Sequence, residues 1–179
     1  MKKFNVLKKL SLFFVFMFIT SISGWAQITS FPYTEGWEGG NIGSWSHTTY
    51  ADEDWENNTG GTTSSGTGPS SANEGSHYIY CETSGTSNGD VFAIESPTFD
   101  LSSLSSPHII FDYHMRWDGA HSDGTLNLDV STDGGSTWTT EWTKTGHQGS
   151  DWHKTYVDLS SYTSSSSVQL RFHFTSGTI

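Results

Sequence analysis

Eight histidines, one cysteine and 19 carboxylates are the side chains in this sequence whose types could carry chemistry. A zinc centre needs histidines at close or helical spacing, and no His-Glu-x-x-His or His-x-His is present. His114 and His121 lie near each other in sequence, but His114 falls on the polar side of a strand pattern and His121 in an Asp/Gly loop. No Gly-x-Ser-x-Gly elbow marks a serine nucleophile. Cys81, between Ile79-Tyr80 and Glu82, has the setting of a packed strand cysteine and none of the cationic surroundings that activate a thiol. Gly61 and Gly66 have the spacing that opens a phosphate-cradling loop. Thr67-Gly68 then stands where the loop needs a lysine, and no helical pattern follows to hold the anion. These patterns point away from catalysis.

The acidic residues are more informative. Glu35 and Glu38 precede a dense run, Asp52-Glu-Asp-Trp-Glu56. Crowded carboxylates repel one another unless solvent or a cation screens them, and Ca²⁺ takes six to eight oxygen ligands in flexible geometry. From the residues alone the cluster reads either as a solvated acidic loop or as a calcium site.

The elements that must position these groups begin after a leader. Lys2, Lys3, Lys8 and Lys9 surround the start of an apolar run from Leu10 to Ile19, and Gly24-Trp25-Ala26 supplies small residues at a cleavage site. This predicts a secretory signal peptide over residues 1–26 and no membrane insertion once it is cleaved. The run is shorter than the roughly 20 apolar residues of a membrane span. Removing it takes four of the eight Lys and Arg but none of the 19 acids, so residues 27–179 carry a net charge of −15. Such a surface repels nucleic acid, whose binding rests on clustered Lys and Arg.

A lone cysteine allows no internal disulfide, so apolar burial must stabilise the fold, and seven of the eight tryptophans remain to supply it. The pattern is period two. Ile109, Phe111, Tyr113, Met115 and Trp117 alternate with His108, Ile110, Asp112, His114 and Arg116. Leu126, Leu128 and Val130, and then Val168, Leu170, Phe172 and Phe174, alternate with polar residues in the same way. Shorter strands are predicted near 45–50, 77–82, 90–94, 137–143 and 153–159. Ser131-Thr-Asp-Gly-Gly-Ser-Thr-Trp138 predicts a hairpin, because glycine supplies the positive φ of a tight turn. Its spacing also matches the Asp-box of sialidase propellers, but propellers repeat their motif and no second copy is present. Residues 160–167 read as a solvated loop. The Gly/Ser/Thr-rich stretch 57–76 lies inside one strand pattern and reads as an ordered connection. An all-β sandwich follows.

In chain order stand Trp37-Glu-Gly-Gly40, Trp45, Asp52-Glu-Asp-Trp55, Ser64-Ser-Gly-Thr-Gly-Pro-Ser70, Gly75-Ser-His-Tyr-Ile-Tyr80 and Glu95-Ser-Pro97. Phe111-Asp-Tyr-His-Met115, Gly124-Thr-Leu-Asn-Leu128, Gly146-His-Gln-Gly149, Trp152 and Val157-Asp-Leu-Ser160 follow. This series resembles a MAM domain, the extracellular module of meprins, neuropilin-like receptors and receptor tyrosine phosphatases, from about Tyr33 to Thr175. The resemblance implies a jelly-roll β-sandwich of two antiparallel sheets without catalysis of its own. It implies candidate ligands for a structural Ca²⁺ at Glu38 and Asp54, with Asp90 a third. The paired cysteines of animal members are missing here, as in secreted bacterial versions. The family's final strand, after a Gly-rich turn, would follow Ser176-Gly-Thr-Ile179, so residues 27–179 are expected to form a MAM-like jelly-roll domain that lacks this strand, as a fragment of a longer extracellular protein or else as a sandwich one strand short, with an unpaired edge and apolar surface exposed.

The function this implies is a secreted, non-catalytic adhesion or interaction module whose partner is an extracellular protein, a second copy included. A carbohydrate-binding module, with Trp142 and Trp152 as stacking platforms for a glycan, and an accessory domain of a secreted peptidase or other hydrolase are the alternatives.

Overall fold

The structure is a computed structural model that describes residues 27–116 and 124–177. The predicted leader, Trp117 and His121 lie outside the described residues. The strands are β1 (Ser46–His47), β2 (Glu56–Asn58), β3 (Tyr78–Tyr80), β4 (Val91–Glu95), β5 (His108–Tyr113), β6 (Thr125–Ser131), β7 (Thr139–Thr145), β8 (His153–Asp158) and β9 (Gln169–Thr175). One 3-10 turn spans Ser160–Tyr162. No helix among the described residues is long and apolar enough to cross a membrane.

Five strands form one antiparallel sheet in the order β1-β4-β9-β6-β7. Its register follows from the alternation. Leu126, Leu128 and Val130 stand opposite Phe174, Phe172 and Leu170, so the apolar residues of β6 and β9 share one face. Asp129 and Arg171 face each other on the other side of the same ladder. The β6–β7 connection is the predicted hairpin, with Gly134 and Gly135 at φ 71° and 82°. Asp133 closes it. Its carboxylate accepts bonds from the Thr137 amide at 2.9 Å, the Thr137 hydroxyl at 2.6 Å and the Ser131 hydroxyl at 2.8 Å. Hydrogen bonding to Thr137, foremost from its hydroxyl, holds the Asp133 carboxyl down at about 2.

The opposing layer is the second half of the sandwich, and it is divided. Two antiparallel pairs, β2–β3 and β5–β8, form separate two-stranded sheets. Rings join the layers. Phe111 meets Phe172 at 4.9 Å and Trp142 at 5.1 Å between centroids, and Trp45 stacks on Phe172 at 5.5 Å. Ile94, Leu128 and Val168 are wholly buried between the layers, and Val157 and Leu159 reach them from the β8 side.

The stretch between β2 and β3 is ordered by its own polar groups. The Tyr78 hydroxyl donates to the Gly60 carbonyl at 3.0 Å, Thr62 to the Thr67 carbonyl at 3.1 Å and Thr67 to the Ser64 carbonyl at 3.1 Å. The 160–167 connection is more than a solvated loop. Its 3-10 turn packs Tyr162 against the core, and the Tyr162 hydroxyl bonds Glu141. Burial, with that carboxylate beside it, pushes the phenol up to about 12.

Candidate interaction surface

The outward face of β5 and β8 carries an apolar pair. The Leu159 amide donates to the Pro107 carbonyl at 2.9 Å, continuing the register that sets His108 opposite Asp158. Hydrogen-bonded and non-bonded pairs alternate along an antiparallel ladder. Residues 109, 111 and 113 therefore bond β8, while Ile110 and Tyr156 form a non-bonded pair, the type with side chains in closest approach. Ile110 is 54% and Tyr156 59% exposed. Single exposed hydrophobes are ordinary, but these two are cross-strand neighbours, and the His108 ring stacks on Tyr156 at 4.9 Å and 28°. Lys154 and Asp112, 3.3 Å apart, border them with an exposed ion pair of little energetic weight. The period-two pattern already put Ile110 on the polar side of its strand, and that misfit was the available signal. Tyr156 gave none until its register was known.

Behind this face lies a cavity of about 1610 Å³ between the two strand pairs, floored by the five-stranded sheet. Ile79 and Tyr80 border it from β3, Ile110 and Phe111 from β5, and Phe172 and Phe174 from β9. Trp45, Trp55 and His114 also line it, and Trp45 Nε1, Trp55 Nε1 and His114 Nδ1 are buried without completing a hydrogen bond. Trp45 is the most enclosed, 5% exposed, with the Tyr33 hydroxyl nearby but outside bonding geometry. His114 Nε2 meets the Ser150 carbonyl at 3.1 Å, and burial holds its imidazole below the ordinary range. Cys81 lines the same cavity, and burial pushes its thiol well up, which leaves it a poor nucleophile.

The predicted calcium ligands are each engaged separately. Glu38 Oε1 accepts the amides of Ser76 at 2.9 Å and His77 at 3.0 Å, and the Ser76 bond is the first cause of its lowered pKa. Asp54 stands 3.5 Å from His47 Nδ1. Asp90 Oδ2 accepts the Ser87 amide at 2.6 Å, and its carbonyl accepts the Ser176 amide at 2.9 Å. Among the described residues no three His, Cys, Asp or Glu side chains are grouped as a metal ion would require. Of the two predicted glycan platforms, Trp142 meets the rings of Phe111 at 5.1 Å and Tyr113 at 5.0 Å on the inner face. Trp152 donates its indole N–H to the Ser71 carbonyl at 3.0 Å, edge-on to Tyr78 and His114. That tryptophan ties the β2–β3 connection to β8.

A polar row crosses the outer face of the large sheet. Arg171 donates to Asp129 from Nε at 3.1 Å and Nη2 at 2.8 Å, with Thr140 at 2.7 Å from the same carboxylate. The Trp138 ring covers the guanidinium at 4.3 Å. Thr175 Oγ1 lies 3.3 Å from His173 Nε2, and His173 Nδ1 lies 3.5 Å from Asp129. Hydroxyl, imidazole and carboxylate thus stand in the order of a nucleophile relay. The carboxylate is already neutralised by Arg171, and neither Thr175 nor His173 lines the cavity where a substrate could sit. The row is built to hold the sheet together.

The MAM domain family, meprin/A5/mu, matches residues 36–178 of the chain. Among solved structures, the K1 cleaved adhesin domain of Lys-gingipain from Porphyromonas gingivalis W83 superposes with a TM-score of 0.51 at 18% sequence identity. The match covers 79% of this chain and 91% of that one. At that identity the likeness is one of fold, an all-β sandwich.

Proposed function

We propose that this chain, which belongs to the MAM domain family, is a secreted, non-catalytic interaction module that holds an extracellular protein on the outer face of β5 and β8. One observation carries the reading. Ile110 and Tyr156, two of the large hydrophobes most exposed to solvent, are direct cross-strand neighbours capped by the His108 ring. An exposed aromatic beside an aliphatic residue, rimmed by charge, has the composition of an interface centre. The likeness in fold to a protein named as an adhesin domain supports the same reading. The first partner to try is a second copy of the chain.

Beads coated with the purified domain test it. The proposal expects them to clump with one another or to adhere to cells of the producing organism. Beads that do neither, with correctly folded domain on their surface, overturn it.

A further inference from the structure

We propose that the outer face of β5 and β8 is self-complementary, and that its partner is the same face of a second copy turned about a two-fold axis. The proposal rests on the reading of this face as the binding face and names what it binds.

The face is a tile of three cross-strand pairs. His108 stands opposite Asp158, Ile110 opposite Tyr156 and Asp112 opposite Lys154. Residues two apart on a strand share a side, so these six point the same way, with the exposed Ile110 and Tyr156 at the centre. The four corners are ionisable and their arrangement is specific. Lys154 has one acid across the ladder, Asp112, and one along its own strand, Asp158, while the His108 imidazole takes the diagonal corner. Side chains stand off a layer perpendicular to its plane, so a strand bonded along either edge would border the tile without covering it.

That arrangement selects the partner. Two β faces pack with strand directions aligned to within about 30°, so a two-fold axis between copies runs either along the strands or across them. Along the strands, it lays Asp112 of one copy on Lys154 of the other, His108 on Asp158 and Ile110 on Tyr156. Across the strands, it lays Lys154 on Asp158 and His108 on Asp112, with Ile110 against Ile110 and Tyr156 against Tyr156. Either way each lysine meets an acid, no two acids meet and the apolar centres coincide. An unrelated partner would need a matching pattern of its own, whereas a second copy already carries one. The Lys154–Asp112 pair, 3.3 Å apart and of little weight alone, becomes part of a network of alternating charge in the two-copy contact.

The contact is small. Six residues on two strands offer on the order of 300 Å² per copy, well under the roughly 800 Å² per partner of a stable interface. A single contact is therefore weak. It holds where many copies are presented together, since linked sites gain roughly 10²–10⁴ in avidity. An adhesive surface meets that condition.

Two variants test the pairing, each matched to the natural domain in melting temperature. Lys154→Asp makes the tile acidic. Asp112→Lys with Asp158→Asn makes it basic and leaves the acceptor that the Ser160 amide and hydroxyl use. Glu53→Lys with Asp100→Asn makes the same change of charge off β5 and β8 and serves as the control. Beads coated with either tile variant should form at least tenfold fewer clumps than natural beads. Acidic and basic beads mixed in two colours should recover at least half of the natural number, as two-colour clumps. The control should clump with itself as the natural domain does and should not rescue the acidic variant. Tile variants that clump like the natural domain, or a mixture that stays dispersed, overturn the second copy as partner. Natural beads that adhere to cells through Ile110 and Tyr156 but never clump also overturn it, and the binding face stands. Beads that clump equally with Ile110→Ser/Tyr156→Ser overturn the face and the pairing together, as do natural beads that neither clump nor adhere.

Discussion

Arg171 and Asp129 sit directly opposite each other on β9 and β6, and the guanidinium spends two N–H groups on one carboxylate oxygen, at 3.1 and 2.8 Å. Both side chains are shielded, 13% and 3% exposed. A buried pair of this kind is costly to break from one side, because the survivor is left as an uncompensated charge. Asp129→Asn should destabilise the domain by about 3 kcal/mol in urea unfolding. Asp129→Leu combined with Arg171→Met should recover most of that loss. Equal losses for the single and double variants would contradict the pairing.

The same carboxylate sets an acid limit. Burial alone would raise its pKa, but bonds from His173, Thr140 and Arg171, with the Arg171 charge, outweigh that and hold it at about 2. A depressed carboxylate contributes stability that is full above the unfolded pKa of about 3.9 and fades as pH falls through the folded value. Asp129 should contribute on the order of 2 kcal/mol at neutral pH, lost between about pH 4 and pH 2. Unfolding free energy measured across that window should fall less steeply in Asp129→Asn than in the natural chain.

Phe172 joins the layers, stacked on Trp45 at 5.5 Å and edge-on to Phe111 at 4.9 Å. Phe172→Ala removes both contacts and should cost about 3–4 kcal/mol by denaturant titration. A cost under about 1 kcal/mol would mean that the two layers are not held together there.

Gly124 is a steric requirement. A Cβ there would lie 2.3 Å from the Phe174 ring and 2.9 Å from the Thr175 carbonyl oxygen. Gly124→Ala should therefore lower stability by roughly 1–3 kcal/mol through overpacking, where an open site would show almost no change.

Glu38 ties its loop to β3 through two amides. Glu38→Gln should accelerate amide exchange at Ser76 and His77, and to the same degree with Ca²⁺ or with chelator present. Acceleration seen only when Ca²⁺ is supplied would assign the carboxylate to the cation.

The sheet was legible because its strands alternate cleanly. Leu126, Leu128 and Val130 could face only one way, and Asp133-Gly-Gly135 could only be a turn. β2 was hidden because Glu56-Asn-Asn58 has no apolar residue to mark a face. Its asparagines do their work through amide groups, Asn57 reaching the carbonyls of Trp37 at 2.8 Å and Asn41 at 2.9 Å. The division of the second layer is a matter of which strands meet in space, which alternation along one strand does not encode. Trp142 gave the composition of a binding platform, but its register opposite Leu128 turns it toward Phe111 and Tyr113.

The most direct measurement compares adhesion of beads coated with the natural domain, with Ile110→Ser/Tyr156→Ser, and with Thr132→Ser on the remote β6–β7 turn, all matched for melting temperature. An interface centre of this kind is worth about 2 kcal/mol or more, a loss of roughly thirtyfold in affinity. The double variant should lose adhesion to that extent while Thr132→Ser keeps it. Adhesion unchanged in the double variant would contradict the assignment of function to the β5–β8 face.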